Sequence, residues 1–331
     1  MQPINLISHS YVLGSQLQSA AEIAHLSNLS TETISSKLGF KQKPVASANE
    51  HPSTFALAAS LSTLKRAQVD ADTLDFILYC SSGLYDKQLW SPSAWLQQQL
   101  HAKQAFTLDI NQGCSAVLAG LQLAKLYLQQ HTNYNYGLVV VSDALSKFIN
   151  YADSDCFPLF SMADGGAAFL IGKSAGRYRL EQSSLLTDGQ FVDCSPLNWG
   201  GTCGLGDVRD SVIHMQDPKQ VTLLRDTVLA ANYQRVIQTC LAQQNINLNH
   251  IAAIITNQNS RPVITEVINA LGISAEKYIT TSEQFGHVSN TDIAIGLVAL
   301  EAELHLTPGS YVLLATAGIG FHWRAQLLKV V

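Results

Sequence analysis

Residues 107–128, TLDINQGCSAVLAGLQLAKLYL, run from an apolar strand through a Gly-bearing turn into a long amphipathic helix, and they set Cys114 at the helix entry. Helix N-termini present unpaired backbone N–H groups and the positive end of the macrodipole. Both favour thiolate over thiol and can lower a cysteine pKa below its free value of about 8.5. Cys114 is therefore a candidate nucleophile, with a buried cysteine acting as a small hydrophobe as the ordinary alternative. The second half of the chain repeats the arrangement: YITTSEQFGHVSNTDIAIGLVAL reads as strand, glycine, chemically capable residue and helix, so that Gly286-His287 corresponds to Gly113-Cys114. A thiol and an imidazole in matching positions are the pieces of covalent catalysis.

The elements that must hold them are also duplicated. TLDFILYCSSG (73–83) and NHIAAIITNQNS (249–260) are β-rich apolar runs ending in small polar residues. Each half closes on a pair of apolar strands, YGLVVVSDAL with ADGGAAFLIGK in the first and SYVLLATAGIGFHWRAQLL in the second. Alternating strands and helices imply an α/β fold of mostly parallel sheets covered by helices on both faces. Two pseudo-twofold-related halves are expected, 1–174 with the cysteine and 175–331 with the histidine, divided near Lys173–Arg179. Strand ends from both would meet at the centre, where open α/β sheets bind ligands. Residues 184–212 lack periodicity and read as a loop excursion able to roof a pocket. Asp217-Pro218 caps a long amphipathic helix. Trp90 and Trp95 flank a Ser-Pro-Ser turn, where they can line a pocket, bury at a subunit contact or pack in the core.

Composition narrows the function. A chain of 331 residues that is 47% hydrophobic can bury a large core or two fused smaller ones. The net charge of -5 offers no basic stripe for nucleic acid. No apolar run reaches the roughly 18 residues that span a bilayer, and MQPINLISHSYVLG lacks the marks of a signal peptide, so a cytoplasmic protein is expected. The cysteines at 80, 114, 156, 194, 203 and 240 form neither a CxxC pair nor a Cys/His cluster of zinc-ligand spacing; no metal and no disulfide framework is expected.

The order and spacing of four segments resemble the thiolase superfamily, and within it β-ketoacyl-acyl carrier protein synthase III, over nearly the whole length. GCSAVLAGL matches the family's nucleophile elbow, VVVSDAL the strand that follows, SMADGGAAFLI its glycine-rich turn and LLATAGIGFHW its C-terminal strand pair. The resemblance implies a five-layer αβαβα homodimer that needs no cofactor and takes acyl groups from coenzyme A or an acyl carrier protein. In the family, the cysteine is acylated by a thioester, and a His and an Asn assist malonyl decarboxylation and carbon–carbon bond formation. Here those two residue types are exchanged: Asn257 occupies the family's His slot and His287 its Asn slot. A similar Gly-His followed by an Asp, here Asp292, occurs in divergent members that act as acyltransferases or unusual starter-unit synthases.

Acyl transfer needs a thiolate, a base that takes and returns a proton, and donors for the oxyanion. Cys114 is expected as nucleophile, His287 as its ion-pair partner and base, and Asp292 either as the group orienting the imidazole or as a helix-dipole partner. The backbone N–H groups of Cys114 and Ile319, in the Gly318-Ile319-Gly320 turn, are the expected oxyanion donors by resemblance. Asn257 can bind a thioester or acceptor carbonyl, or cap its strand. His322 is expected to pack. Family members commonly sandwich adenine between a Trp and an Arg, whose places here hold Thr33 and Lys37, which favours a carrier-bound donor. Arg261, Lys37, Lys41 and Lys43 are candidates to pair with a phosphopantetheine phosphate, or else are solvated surface charge, and Trp90 is a candidate substrate contact. Ordinary malonyl extension, or a non-catalytic partner role, are the competing readings.

Overall fold

The computed structural model describes residues 2–197, 202, 211–213 and 217–331. Among these, the N-terminal strands are β1 (Asn5–Leu13), β2 (Gln16–Ser19), β3 (Gln42–Val45), β4 (Phe76–Ser81), β5 (Phe106–Asn111), β6 (Tyr136–Ala144) and β7 (Asp164–Gly172). The C-terminal strands are β8 (Tyr178–Thr187), β9 (Ile251–Thr256), β10 (Tyr311–Gly318) and β11 (His322–Val330). The helices are α1 (Ala20–Ser27), α2 (Thr31–Leu38), α3 (Pro52–Ala67), α4 (Pro92–Leu100), α5 (Ala116–Gln130), α6 (Pro218–Leu223), α7 (Leu229–Ala242), α8 (Arg261–Leu271), α9 (Ser282–Phe285) and α10 (Asp292–Glu303).

Apart from the β2–β3 pair, the strands align as β5-β4-β6-β7-β1-β8-β11-β10-β9. The joint is β1 against β8, which touch through Asn5↔Arg179 and Leu6↔Tyr178. Outward from it the two sides repeat each other. β1–β7 and β7–β6 are antiparallel and β6–β4 parallel on one side; β8–β11 and β11–β10 are antiparallel and β10–β9 parallel on the other, so the expected mostly parallel sheets are corrected to mixed ones, because each half closes on a directly connected strand pair. The match fails at the outer edge. Where β5 pairs with β4, the expected strand in YITTSEQF is reduced to an isolated Ile254↔Tyr278 bridge. The reason is local: the Gln258 side chain donates to the Ile279 carbonyl and accepts from the Thr281 and Ser282 N–H groups, so a side chain satisfies backbone groups that a ladder would otherwise take.

Side-chain alternation along the strands builds the layers. Ile77 and Tyr79 of β4 face outward onto α3 and α4, while Phe76, Leu78 and Cys80 face inward onto α5. Beyond the other side, Ile254, Leu313 and Leu327 pack on α7 and α8. α5 and α10 lie between the two sheets in one shared apolar cluster, giving five layers. Ala116–Leu121 and Asp292–Leu297 are all buried, so both central helices begin apolar all round rather than amphipathic. A Cβ on Gly120 would lie 2.5 Å from Cys80 Sγ, and one on Gly296 2.4 Å from an Ile255 methyl; glycine lets each central helix close on its sheet.

The helix expected after Asp217 is present. Asp217 accepts from the Lys219 and Gln220 N–H groups, and Pro218 starts α6. It is interrupted, however, by a π-helical turn at Leu224–Val228, a feature that commonly accompanies functional sites. Much of the 184–212 excursion lies outside the described residues.

Candidate active site

Gln112 and the 3-10 turn Gly113–Ser115 carry the chain from β5 into α5. Gly113 has φ +53°, and a Cβ there would stand 2.6 Å from Ile319 N. A Cβ on Gly318 would in turn stand 2.6 Å from Cys114 N. Two glycines therefore let the end of β10 lie directly against the elbow, with the Cys114 and Ile319 backbones bordering one cavity. Cys114 is 6% exposed.

His287 reaches the same cavity from the other half of the chain. Its N–H donates to the Ser161 carbonyl at 2.8 Å and its carbonyl accepts from Ala163 N–H at 2.8 Å, so the residue is clipped to the end of the N-terminal sheet. Asp292, at the first position of α10, meets His287 Nδ1 at 2.5 Å and also accepts from Val288 N–H at 2.8 Å and Gln258 N–H at 2.7 Å. Both side chains are buried, at 2% and 0% exposed. Burial alone pulls the imidazole pKa down; the Asp292 carboxylate, together with a hydrogen bond and charge contact with Cys114, overcomes it and raises His287 from 6.5 to about 10. The protonated imidazole is thus favoured at neutral pH, hydrogen bonded to a carboxylate on one side and bordering the same cavity as Cys114.

Cys114, His287, Asp292 and Ile319 are brought together, Asn257 lies behind them, and Trp90, Arg261, Lys37, Lys41 and Lys43 stand apart. Asn257 is 1% exposed, and its amide is engaged on both sides: Nδ2 donates to the Cys114 carbonyl at 3.1 Å, and Oδ1 accepts from Ala317 N–H at 2.7 Å and Tyr233 Oη at 3.1 Å. It fastens the elbow to β10 and α7, and it borders neither cavity at Cys114. Trp90 packs at a tilt against Trp95 with ring centroids 5.9 Å apart and borders neither cavity at Cys114. Arg261 starts α8 exposed, and its Cβ packs over Gly39, while the cavity wall beside it is made by Asn259 and Ser260. Lys37, also exposed, borders a separate depression with Phe157 and Phe160. Lys41 is paired with Glu283 at the surface. His322 hydrogen bonds Thr187 at the start of β11, in keeping with a packed residue.

Lys43 is a correction of a different kind. It is fully buried, with Nζ donating to Tyr151 Oη at 2.9 Å and to the Met162 carbonyl at 2.5 Å, so it cannot meet a phosphate. Desolvation lowers its pKa from 10.5 to about 7, opposed by the Asp164 carboxylate. Between those two values the unfolded chain binds the proton that the folded chain has released, so the lysine's contribution to stability rises with pH, complete above 10.5 and lost as pH falls through about 7. Denaturant unfolding at pH 7 and pH 9 is expected to register that rise, and Lys43→Met to flatten it; an equal slope in the variant would place the titration elsewhere.

Several neighbours escaped the sequence reading. Asn290 Nδ2 donates to the Gly113 carbonyl at 3.0 Å and to Asp143 at 3.1 Å, and its Oδ1 accepts from Val117 N–H at 3.0 Å, so one amide spans both sides of the elbow. Ser289 Oγ lies 3.4 Å from Cys114 Sγ. Arg225, on the π-helical turn, is the cation that borders the His287 cavity. The signal for the first two was their place directly after Gly286-His287; for Arg225 there was none.

Two cavities meet at Cys114, Leu159, Met162, Ser195 and Ile319. One, of about 180 Å³, runs past His287, Asn259, Val263 and Phe321; the other, of about 310 Å³, runs past Gly83, Leu84, Asn111 and Leu145. Apolar walls with a few polar groups at one end suit a thioester with an aliphatic arm.

Comparison with known proteins agrees with this geometry. Residues 108–189 match the family description 3-oxoacyl-[acyl-carrier-protein] synthase III, and residues 241–330 match its C-terminal counterpart, together just over half of the chain. The β-ketoacyl-[acyl-carrier-protein] synthase III of Wolbachia pipientis wMel is 26% identical over 323 residues, covering 98% of each chain. The crystal structure of 3-oxoacyl-[acyl-carrier-protein] synthase III from Aquifex aeolicus VF5 superposes with a TM-score of 0.85 at 21% identity, over 98% of this chain and 99% of that one. The priming β-ketosynthase of the R1128 polyketide pathway gives 0.88 at 17% identity, over 99% and 96%. On the strength of the two profile matches, carried on a thiolase-like fold, the chain belongs to the β-ketoacyl-acyl carrier protein synthase III family of acyl-transferring and condensing enzymes.

Proposed function

We propose that the chain is an acyltransferase of the ketosynthase III type. The Cys114 thiolate attacks an acyl thioester; its C–S bond forms, the donor's C–S bond breaks, and the leaving thiolate takes the proton from the His287 imidazolium. The acceptor then gives its proton to neutral His287 as its oxygen, nitrogen or sulfur attacks the acyl carbon. Cys114 leaves as thiolate, and the ion pair is restored. Asp292 holds the imidazole in one orientation and stabilises its charge. The Cys114 and Ile319 N–H groups receive the oxyanion.

One observation carries transfer over decarboxylative condensation. Stabilising the enolate left when carbon dioxide departs asks for two side-chain donors, and here the Asn257 amide is committed to Cys114, Ala317 and Tyr233. Of the exchanged pair, His287 borders the cavity and Asn257 does not. The experiment is to offer malonyl thioesters, on coenzyme A and on carrier protein, to acyl-loaded enzyme: no carbon dioxide release above background is expected, while release at the rate of acyl consumption would establish a starter-unit ketosynthase.

The donor is carrier-bound or a coenzyme A thioester. Arg225 borders the His287 cavity and is the cation best situated for a pantetheine phosphate, in place of Arg261 and Lys37. A homodimer and the division at 174/175 are part of the same reading. Strand β5 ends the sheet with an unpaired edge and carries Leu108, 38% exposed, near the fully exposed Leu89. Such an edge invites pairing with a second copy. Sedimentation at micromolar concentration is expected to give twice the chain mass, and Leu108→Lys to give the monomer; a wild-type monomer would remove this part.

A further inference from the structure

Opposite the His287–Asp292 pair, a second buried carboxylate stands close to the nucleophile. Asp143, near the end of β6, is 1% exposed and accepts from Ser82 N–H at 2.8 Å and Asn290 Nδ2 at 3.1 Å. Asn290 Nδ2 also lies 3.5 Å from Ser289 Oγ, so the same amide reaches both the carboxylate and that hydroxyl. Burial pushes the Asp143 pKa up, and these donors oppose the shift. Between this carboxylate and the sulfur stands Ser289. It is fully buried, its Oγ is 3.4 Å from Cys114 Sγ and 3.2 Å from Ser82 Oγ, and it holds φ +51°, a conformation that costs a non-glycine residue. Strain of this kind persists where surrounding structure enforces it, and here it turns the hydroxyl toward the sulfur.

We propose that Ser289 is a further catalytic residue, whose hydroxyl donates to the Cys114 thiolate and turns to the Asp143 side when the sulfur is acylated. A hydroxyl has one proton to give. A thiolate is a strong acceptor and a thioester sulfur a poor one, so loading releases the proton to the carboxylate. When the acyl group departs, the returning hydroxyl stabilises the leaving thiolate. Asp143 acts through Ser289 and is a positioning residue. No bond other than hydrogen bonds changes in this step.

The inference rests on Cys114 being the nucleophile, and one measurement separates the two. Alkylation of Cys114 by iodoacetamide is followed against pH by peptide mass, in wild type, Ser289→Ala, Ser289→Gly and Asp143→Asn. The charged and titratable groups around the sulfur are His287 and Asp292 from the α10 end, Asp143 from β6, the Tyr233 phenol from α7 and Arg324, which holds Gln112. All are unchanged in the two Ser289 variants. Wild-type Cys114 is expected to be alkylated faster at neutral pH than the same cysteine in the urea-unfolded chain. Both Ser289 variants are expected to lower that rate roughly tenfold, as loss of a hydrogen bond to a charged group implies. Glycine suits φ +51° and therefore removes the hydroxyl without added strain, so agreement between the variants assigns the effect to the hydroxyl. Asp143→Asn removes the competing charge and is expected to raise the rate. Unchanged rates in both Ser289 variants, or a lower rate in Asp143→Asn, would overturn the proposal while leaving the nucleophile in place. A wild-type rate no higher than that of the unfolded chain would overturn the nucleophile reading itself.

Discussion

Cys114→Ala abolishes acyl loading. Intact-mass measurement after incubation with thioesters on coenzyme A and on carrier protein is expected to find one added acyl group on the wild-type chain and none on the variant. Turnover falls by on the order of 10⁴-fold or more, because the oxyanion donors retain little catalytic power without a nucleophile to bring to the carbonyl. The change removes a single sulfur from a site already bordered by two cavities, so little packing is lost and stability is expected to shift by about 1 kcal/mol or less. Loss of loading is then a statement about chemistry rather than folding. A variant that still gains the acyl mass would locate the acyl group on another residue. A wild-type chain that takes up no acyl group from any donor would point instead to a non-catalytic partner of an active synthase.

His287→Ala has its effect in the second half of the reaction. Starting from pre-acylated enzyme, transfer to the acceptor is expected to slow by 10²–10⁴-fold, the usual contribution of a positioned general base, while some loading survives. The two half-reactions also differ in their response to pH. In the free enzyme the contact with Cys114 helps to hold His287 near 10, so loading, which needs the imidazolium as proton donor, is expected to stay level through neutral pH and decline as pH rises through about 10. Acylation of the sulfur removes part of that support. The imidazole pKa then falls, and transfer, which needs the neutral base, rises with pH in the neutral range. Equal transfer rates in wild type and variant would remove His287 from the mechanism, and coincident pH profiles would remove the ion pair. Because the change strands the Asp292 charge in the interior, some loss of stability, on the order of 3–5 kcal/mol, accompanies it. His287→Gln, which can still donate to Asp292, is the companion variant: it restores stability but not transfer.

Much of the fold was legible because it depends on patterns that repeat within short windows. Apolar β-rich runs, a glycine before each central helix and the repetition of both in the second half lead directly to paired sheets around buried helices. The pairing of Cys114 with His287 was legible for the same reason, as each sits at the entry of one such helix. What stayed hidden depends on meetings across the chain. Asn257 resembles a substrate contact until its three partners, drawn from the elbow, β10 and α7, are seen to occupy it. Lys43 lies in KQK, which reads as surface charge, yet strand alternation exposes Gln42 and buries the lysine against Tyr151. The missing edge strand is a matter of one glutamine side chain outcompeting a ladder. The π-helical turn that brings Arg225 to the cavity has no counterpart in the residue periodicity.

The shared apolar cluster around α5 and α10 has a bearing on how the site is assembled. Its members stretch from Ile4 to Val330, and the thiol, imidazole and carboxylate are joined only when the first and last strands have both docked. The meeting of thiol, imidazole and carboxylate is therefore a property of the two docked halves and of neither alone.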